Sequence, residues 1–96
     1  MIEFEFGPAS DDLFRALLAL ESVEDCERFF RDLCTLAKLR AMTERWQVVR
    51  KLEEGLPYRT ISEQTGVSTA TITRVAHWLQ QGAGGYRLAL DRLEER

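Results

Sequence analysis

Ser68, Thr69, Thr71 and Thr73 crowd into the stretch EQTGVSTATITR, from Glu63 to Arg74, and an arginine closes it. Hydroxyls so placed suit one of two chemistries. One can serve as a nucleophile, given a positioned base, or several can hydrogen-bond phosphates and the edges of bases. The chain has one histidine, His77, and no paired carboxylates on convergent elements. Its glycine cluster, Gly82 to Gly85 with Ala83 inside it, follows no strand, so it does not have the form of a phosphate-cradling loop. Cys26 and Cys34 with that single histidine do not make a metal-ligand set. Eight residues apart on one helix they are ~12 Å apart along its axis, too far for a disulfide, and they read as buried thiols. No enzyme, no metal and no cofactor are expected. Binding remains.

The apolar spacing decides how the hydroxyls are presented. At 100° per residue, placing Ile72 inward turns Val75, Ala76 and Leu79 inward as well. Ala70, Thr73, Arg74, His77 and Gln81 then face outward, with Thr69 and Thr71 flanking at the N-terminal end. Serine and threonine are mediocre helix formers, so propensity does not explain them here. A helix entering the major groove of DNA needs short side chains near its N-terminus, because long charged ones would hold the backbone off the base edges. Threonine brings a hydroxyl for phosphate or base and a methyl for thymine, while alanine brings a methyl alone. The exposed amides of the same terminus favour phosphate. His77 reads as a phosphate neighbour or as plain surface.

A second short helix has to precede this one. Gly66 allows a tight turn; Ile61 lies five residues before it, and Val67, Ile72 and Val75 lie one, six and nine after. Those positions let two short helices cross with their inner faces touching, and Ser62 falls where only a small side chain fits. The pattern predicts a helix-turn-helix over about residues 57–80.

The rest of the chain is helical in pattern. SDDLFRALLALES starts from Ser10 as a cap and carries Leu13, Phe14, Leu17 and Leu18 at helical spacing. Ser22 with Asp25 resembles a capping box, and the stripe after it is Val23, Cys26, Phe29, Phe30, Leu33 and Cys34. TLAKLRAM reads as a short helix capped by Thr35, and TERWQVVRKLEEG as another that starts from Thr43, buries Trp46, Val49 and Leu52 beside Val48, and stops at Gly55. Pro57 restarts the chain. YRLALDRLEER closes it, with Tyr86, Ala89, Leu90 and Leu93 on one side. IEFEF alternates like a strand but has nothing to pair with, so residues 1–9 read as an arm or frayed end. The expectation is one all-α domain over residues 1–96. The front helices hold more leucine and phenylalanine than a chain this short can hide, which favours a partner subunit.

The run from Thr69 to Arg74, TATITR, preceded by EQTG and by TERWQVVRKLEEG, resembles the Trp repressor superfamily, and within it the YerC/YecD group. The match covers Thr35 to Leu79 well and the flanking helices more loosely. This resemblance implies about six helices and an intertwined homodimer, with dimerisation helices over about residues 10–41 and 85–95. It also implies operator binding, most simply as a repressor. By position, Arg59 matches the family's base-contacting arginine, and a guanidinium suits guanine in two-pronged contact. Thr69, Ala70, Thr71, Thr73 and Arg74 match positions that approach bases and phosphates. Thr35, Arg45, Arg74 and Trp78 fall where the family's tryptophan pocket lies. Two of the pocket's positions depart from the family. Its space-giving glycine is Val75 and its serine is Trp78, so the slot is filled and no hydroxyl remains for an ammonium group. Tryptophan is therefore not expected as a corepressor. Arg45 and Arg74 serve phosphates instead, or Trp78 occupies the pocket permanently, or Arg45 is a solvated charge.

Net charge is −3 over the chain, but it is unevenly placed. Residues 1–32 carry −6 and residues 33–90 carry +4, an asymmetry that suits a polyanion bound by one half only. The expected partners are thus duplex DNA and a second copy of the chain. No apolar run approaches the ~20 residues that span a bilayer. With no secretory pattern in MIEFEFGPASDD, the expected location is cytoplasmic, on the nucleoid when DNA is bound. The competing function is a helical dimerisation or protein-interaction module that never reads DNA. A partner-binding face should be apolar or aromatic; Thr69, Thr73, Arg74, His77 and Gln81 are not, and Trp78 is the exception.

Overall fold

The computed structural model describes residues 4–95. Among them are six helices and no strand: α1 (Pro8–Leu18), α2 (Val23–Leu33), α3 (Leu36–Glu53), α4 (Tyr58–Thr65), α5 (Thr69–Gln81) and α6 (Gly85–Glu94). The all-α expectation of about six helices holds. The chain divides into two compact units, one running to Leu36 and the other starting at Ala37.

In the first unit, α1 starts earlier than its expected cap. Pro8 takes the first helical position, where its fixed φ is already correct and no N–H is missed. Ser10 therefore lies inside the first turn, not at the cap. Its buried hydroxyl accepts from the Gly7 N–H at 2.9 Å and donates to the Gly7 carbonyl at 3.0 Å. The arm is correspondingly shorter than residues 1–9, since Pro8 and Ala9 are helical; Phe4 to Phe6 are neither helix nor strand, and residues 1–3 lie outside the described residues. The Phe6 ring has Phe4 at 5.1 Å and Phe14 at 6.1 Å.

Ser22 caps α2 as its sequence suggests, accepting from the Asp25 N–H at 3.0 Å. The Asp25 carboxylate accepts from the Glu21 N–H, one residue short of the reciprocal bond of a full capping box. No residue of α2 is buried. That corrects the reading of Cys26, which is exposed, while Phe29 and Phe30 of the same stripe are half-buried. Cys34 is half-buried at the helix end.

In the second unit, α3 is one helix of 18 residues where two were expected. Thr43 does not start a helix; it is interior. Nothing between Leu36 and Glu53 breaks the backbone, as no glycine or proline falls there, and a lone threonine costs only tenths of a kcal/mol. The helix stops where Gly55 turns left-handed at φ +81°. Gly55 N–H then donates to the Leu52 carbonyl and Leu56 N–H to that of Lys51, which satisfies two carbonyls left open by the helix end.

The core of this unit is Val48 and Val49 from α3, Ile61 from α4, Val67 from the turn, Ile72 and Val75 from α5, and Leu90 from α6. Trp46, expected to be buried, is half-buried against this core with its ring 6.4 Å from that of Tyr86. Leu90 buries α6, and Arg87 ties it to the end of α3. The Arg87 guanidinium grips both carboxylate oxygens of Glu53, Nη1 to Oε1 at 3.2 Å, and its Nε lies 3.3 Å from Asp91. Hydrogen bonding from Arg87 holds the Glu53 carboxyl below the usual carboxylate range, and raises Arg87 in turn. The last residue of the closing segment, Arg96, lies outside the described residues.

Candidate nucleic-acid interface

The turn that sets α4 against α5 is only three residues long, Gly66 to Ser68. Gly66 has φ +77°, a left-handed backbone that a side chain on Cα disfavours, and its N–H donates to the Ser62 carbonyl at 2.8 Å. Thr65 stitches the turn from the other side. Its hydroxyl donates to the Ile61 carbonyl at 2.7 Å and accepts the Val67 N–H at 3.1 Å. Val67 can then bury its side chain without leaving its amide unpaired. Ser68 caps α5, accepting from the Thr71 N–H at 3.2 Å.

Once capped, α5 divides cleanly into two faces. Ile72, Val75 and Ala76 are buried and Leu79 packs against the core, whereas Thr69, Ala70, Thr73, Arg74, His77 and Gln81 are exposed. Thr71 is half-buried between them. The hydroxyls are not equivalent. Ser68 Oγ donates to Thr71 Oγ1 at 3.1 Å, and Arg74 Nη2 donates to the same oxygen at 3.3 Å. Thr73 Oγ1 donates back to the Thr69 carbonyl at 2.9 Å.

Arg59 projects from α4 with its side chain 92% exposed, tethered among the described residues by a Glu63 carboxylate at 3.7 Å one turn along. An exposed pair at this spacing is worth tenths of a kcal/mol, so the guanidinium is available to a ligand. On the other side of α5, Arg45, Thr71, Arg74, Val75, Trp78 and Tyr86 line a cavity of about 240 Å³. Arg74 spans the two regions, since it borders the cavity and shares the exposed face of the helix.

A protein-family model described as Trp repressor protein matches residues 9–94. The chain belongs to the Trp repressor family. The uncharacterized protein YerC of Bacillus subtilis is 45% identical over 89 residues, which is 93% of this chain and 86% of YerC. The crystal structure of a candidate Trp repressor from Staphylococcus aureus superposes with a TM-score of 0.87 at 44% identity, covering 93% of this chain and 89% of that one. A TrpR-like protein from Eubacterium eligens gives 0.85 at 38% identity, over 90% and 89% of the two chains.

The Trp repressor resemblance named four pocket residues, and three of them, Arg45, Arg74 and Trp78, border the one cavity. The fourth, Thr35, lies in the first unit, immediately before α3. Val75 contributes to the cavity wall with its side chain only 3% exposed, so the volume that a glycine would leave is occupied. Trp78 borders the cavity but is itself 57% exposed, with its ring edge-on to His77 at 5.3 Å. Sequence reasoning did not find Tyr86 as a cavity residue. No local signal marks it, because it reaches the cavity only through the return of α6 after the glycine-rich connection. Thr65 was missed too, although a threonine directly before a glycine turn is a signal that could have shown it.

Proposed function

We propose that this chain is a sequence-specific DNA-binding transcriptional regulator, acting as a repressor. It works as a homodimer with α4–turn–α5 as its reading unit. One observation carries the reading. The outward face of α5 is compact and polar at its N-terminal end, while its inward face is anchored in the core, and Arg59 projects exposed from the helix before it. In this family such a helix lies in the major groove, with two subunits addressing half-sites about 34 Å apart. The first unit supports the dimer, because α1 and α2 leave Phe14, Leu18, Val23 and Leu33 exposed.

Tryptophan is not the effector in this reading. Val75 narrows the cavity beside α5, and at position 78 an indole stands where an ammonium ligand would need a hydroxyl. Calorimetry with L-tryptophan should show no saturable heat; a filled site that tightens operator binding would overturn this part.

The DNA reading is tested by enriching binding sequences from a library of random duplexes. The wild-type protein should enrich a roughly palindromic site. Ala70→Glu should abolish enrichment, because it sets length and negative charge against the phosphates, while circular dichroism stays unchanged. Retained enrichment by a folded Ala70→Glu variant would remove α5 from the interface. Trp78 favours a second reading, docking of a protein partner, since it also lines an apolar recess of about 370 Å³ with Tyr86. That reading gains if no duplex is enriched.

A further inference from the structure

The hydrogen bonds within α5 assign different chemistry to hydroxyls that look alike in sequence. A threonine hydroxyl has one proton to donate and two lone pairs. At Thr73 that proton is spent on the Thr69 carbonyl, the back-bond that threonine makes readily inside a helix. Phosphate oxygens and the N7, O6 and O4 atoms of bases are acceptors, so they have nothing to gain from an oxygen whose proton is already committed. What remains at Thr73 is an acceptor oxygen turned back toward the helix, suited only to the amino groups of adenine and cytosine, and a methyl group. Ala70 lies three residues before it on the same exposed face and offers a second methyl. Thr71 is the opposite case. Its oxygen accepts from both Ser68 and Arg74, which leaves its own proton as the free donor.

We infer that Thr73 is a specificity-determining residue that reads DNA through its methyl group, packing with Ala70 against the C5-methyl of thymine, and not through its hydroxyl. The inference rests on the DNA-binding reading above and names the feature that this helix recognises. It distinguishes thymine from every other base of DNA, because the C5-methyl is the one apolar group displayed in the major groove. It also separates two close neighbours of threonine. Valine keeps the methyl and drops the hydroxyl; serine does the reverse.

The test uses full-length protein and a duplex enriched by the wild type from a random library. Each thymine of a half-site is replaced in turn by uracil, which lacks only the methyl, and affinities are measured by fluorescence anisotropy. One replacement should weaken wild-type binding about fourfold, the equivalent of one methyl returned to water. Thr73→Val should bind the unmodified duplex as well as wild type and keep the preference for thymine over uracil. Thr73→Ser should bind about fourfold more weakly and lose that preference. Thr73 is exposed, so thermal unfolding should confirm that all variants are folded. Loss of binding by Thr73→Val, with every uracil replacement tolerated, would show that the hydroxyl is used and overturn this inference alone. Enrichment of no duplex would overturn the DNA-binding reading and this inference with it.

Discussion

In the proposed DNA complex, Arg59 is the residue on which base recognition turns. Among the described residues its tether is the Glu63 carboxylate at 3.7 Å, which sets a negative charge beside whatever Arg59 approaches. Arg59→Ala should cost about 1–3 kcal/mol and relax specificity at a single base pair. Glu63→Gln should do the reverse, strengthening binding about two- to threefold by freeing the guanidinium and removing the repulsion. Anisotropy titrations against one enriched duplex measure both; equal effects of the same sign would mean that Arg59 makes no base contact. At this scale the sequence was most informative about which side chains face outward, because helical periodicity alone assigns Thr69, Ala70, Thr73 and Arg74. It was silent on what each hydroxyl does there. Thr71 and Thr73 are chemically identical and two residues apart, and only three-dimensional hydrogen bonding gives one a free donor and the other an outward methyl.

At the scale of elements, the angle between α4 and α5 depends on the three-residue turn, and two residues beside it make that turn stable. Gly66→Ala meets no neighbouring atom, so its cost is torsional, about 1–2 kcal/mol for a left-handed backbone. Thr65→Val leaves the Val67 N–H without its acceptor, which should cost about 1–3 kcal/mol. Urea unfolding reads both, and DNA binding should fall together with stability. The attachment of α6 to α3 has a different dependence. Glu53 is held below its ordinary range by Arg87, so the pair stabilises the fold above the unfolded carboxylate value and the contribution is lost as pH falls through the folded one. Wild type and Glu53→Gln should therefore differ in stability at neutral pH and converge once pH has fallen below the folded carboxyl's lowered value. A gap that persists unchanged in acid would mean that the carboxylate charge is irrelevant. This cross-link was not legible in the sequence, since residues 53 and 87 meet only after α4 and α5 have folded between them. The division of α3 into two helices failed for a related reason. Thr43 looked like a cap, but a cap needs a backbone that leaves the helix, and nothing around Thr43 makes it do so.

For the whole molecule, the proposed dimer assigns the surplus of apolar residues in the first unit to contact with a second copy of the chain. No residue of α2 is buried in the single chain, and Leu18 and Val23 are among its most exposed large side chains. Light scattering should give twice the 11.1 kDa chain mass at micromolar concentration. Leu18→Lys with Val23→Lys should shift the protein toward monomer and weaken binding to a palindromic site far more than to a half-site. The acidic front was legible as a distribution of charge, and so were the family and the apolar surplus, but which residues of the first unit stay exposed in the single chain was not, because periodicity gives a stripe and not what covers it.

DNA reading by α5 is tested most directly with two duplexes of one length, an enriched site and its scrambled version, across a series of salt concentrations. The enriched site should bind at least about a thousandfold more tightly near physiological salt. The affinity of both should fall steeply, and linearly on logarithmic axes, as salt rises. Equal affinity for the two duplexes, or binding indifferent to salt, would contradict the claim that α5 reads DNA.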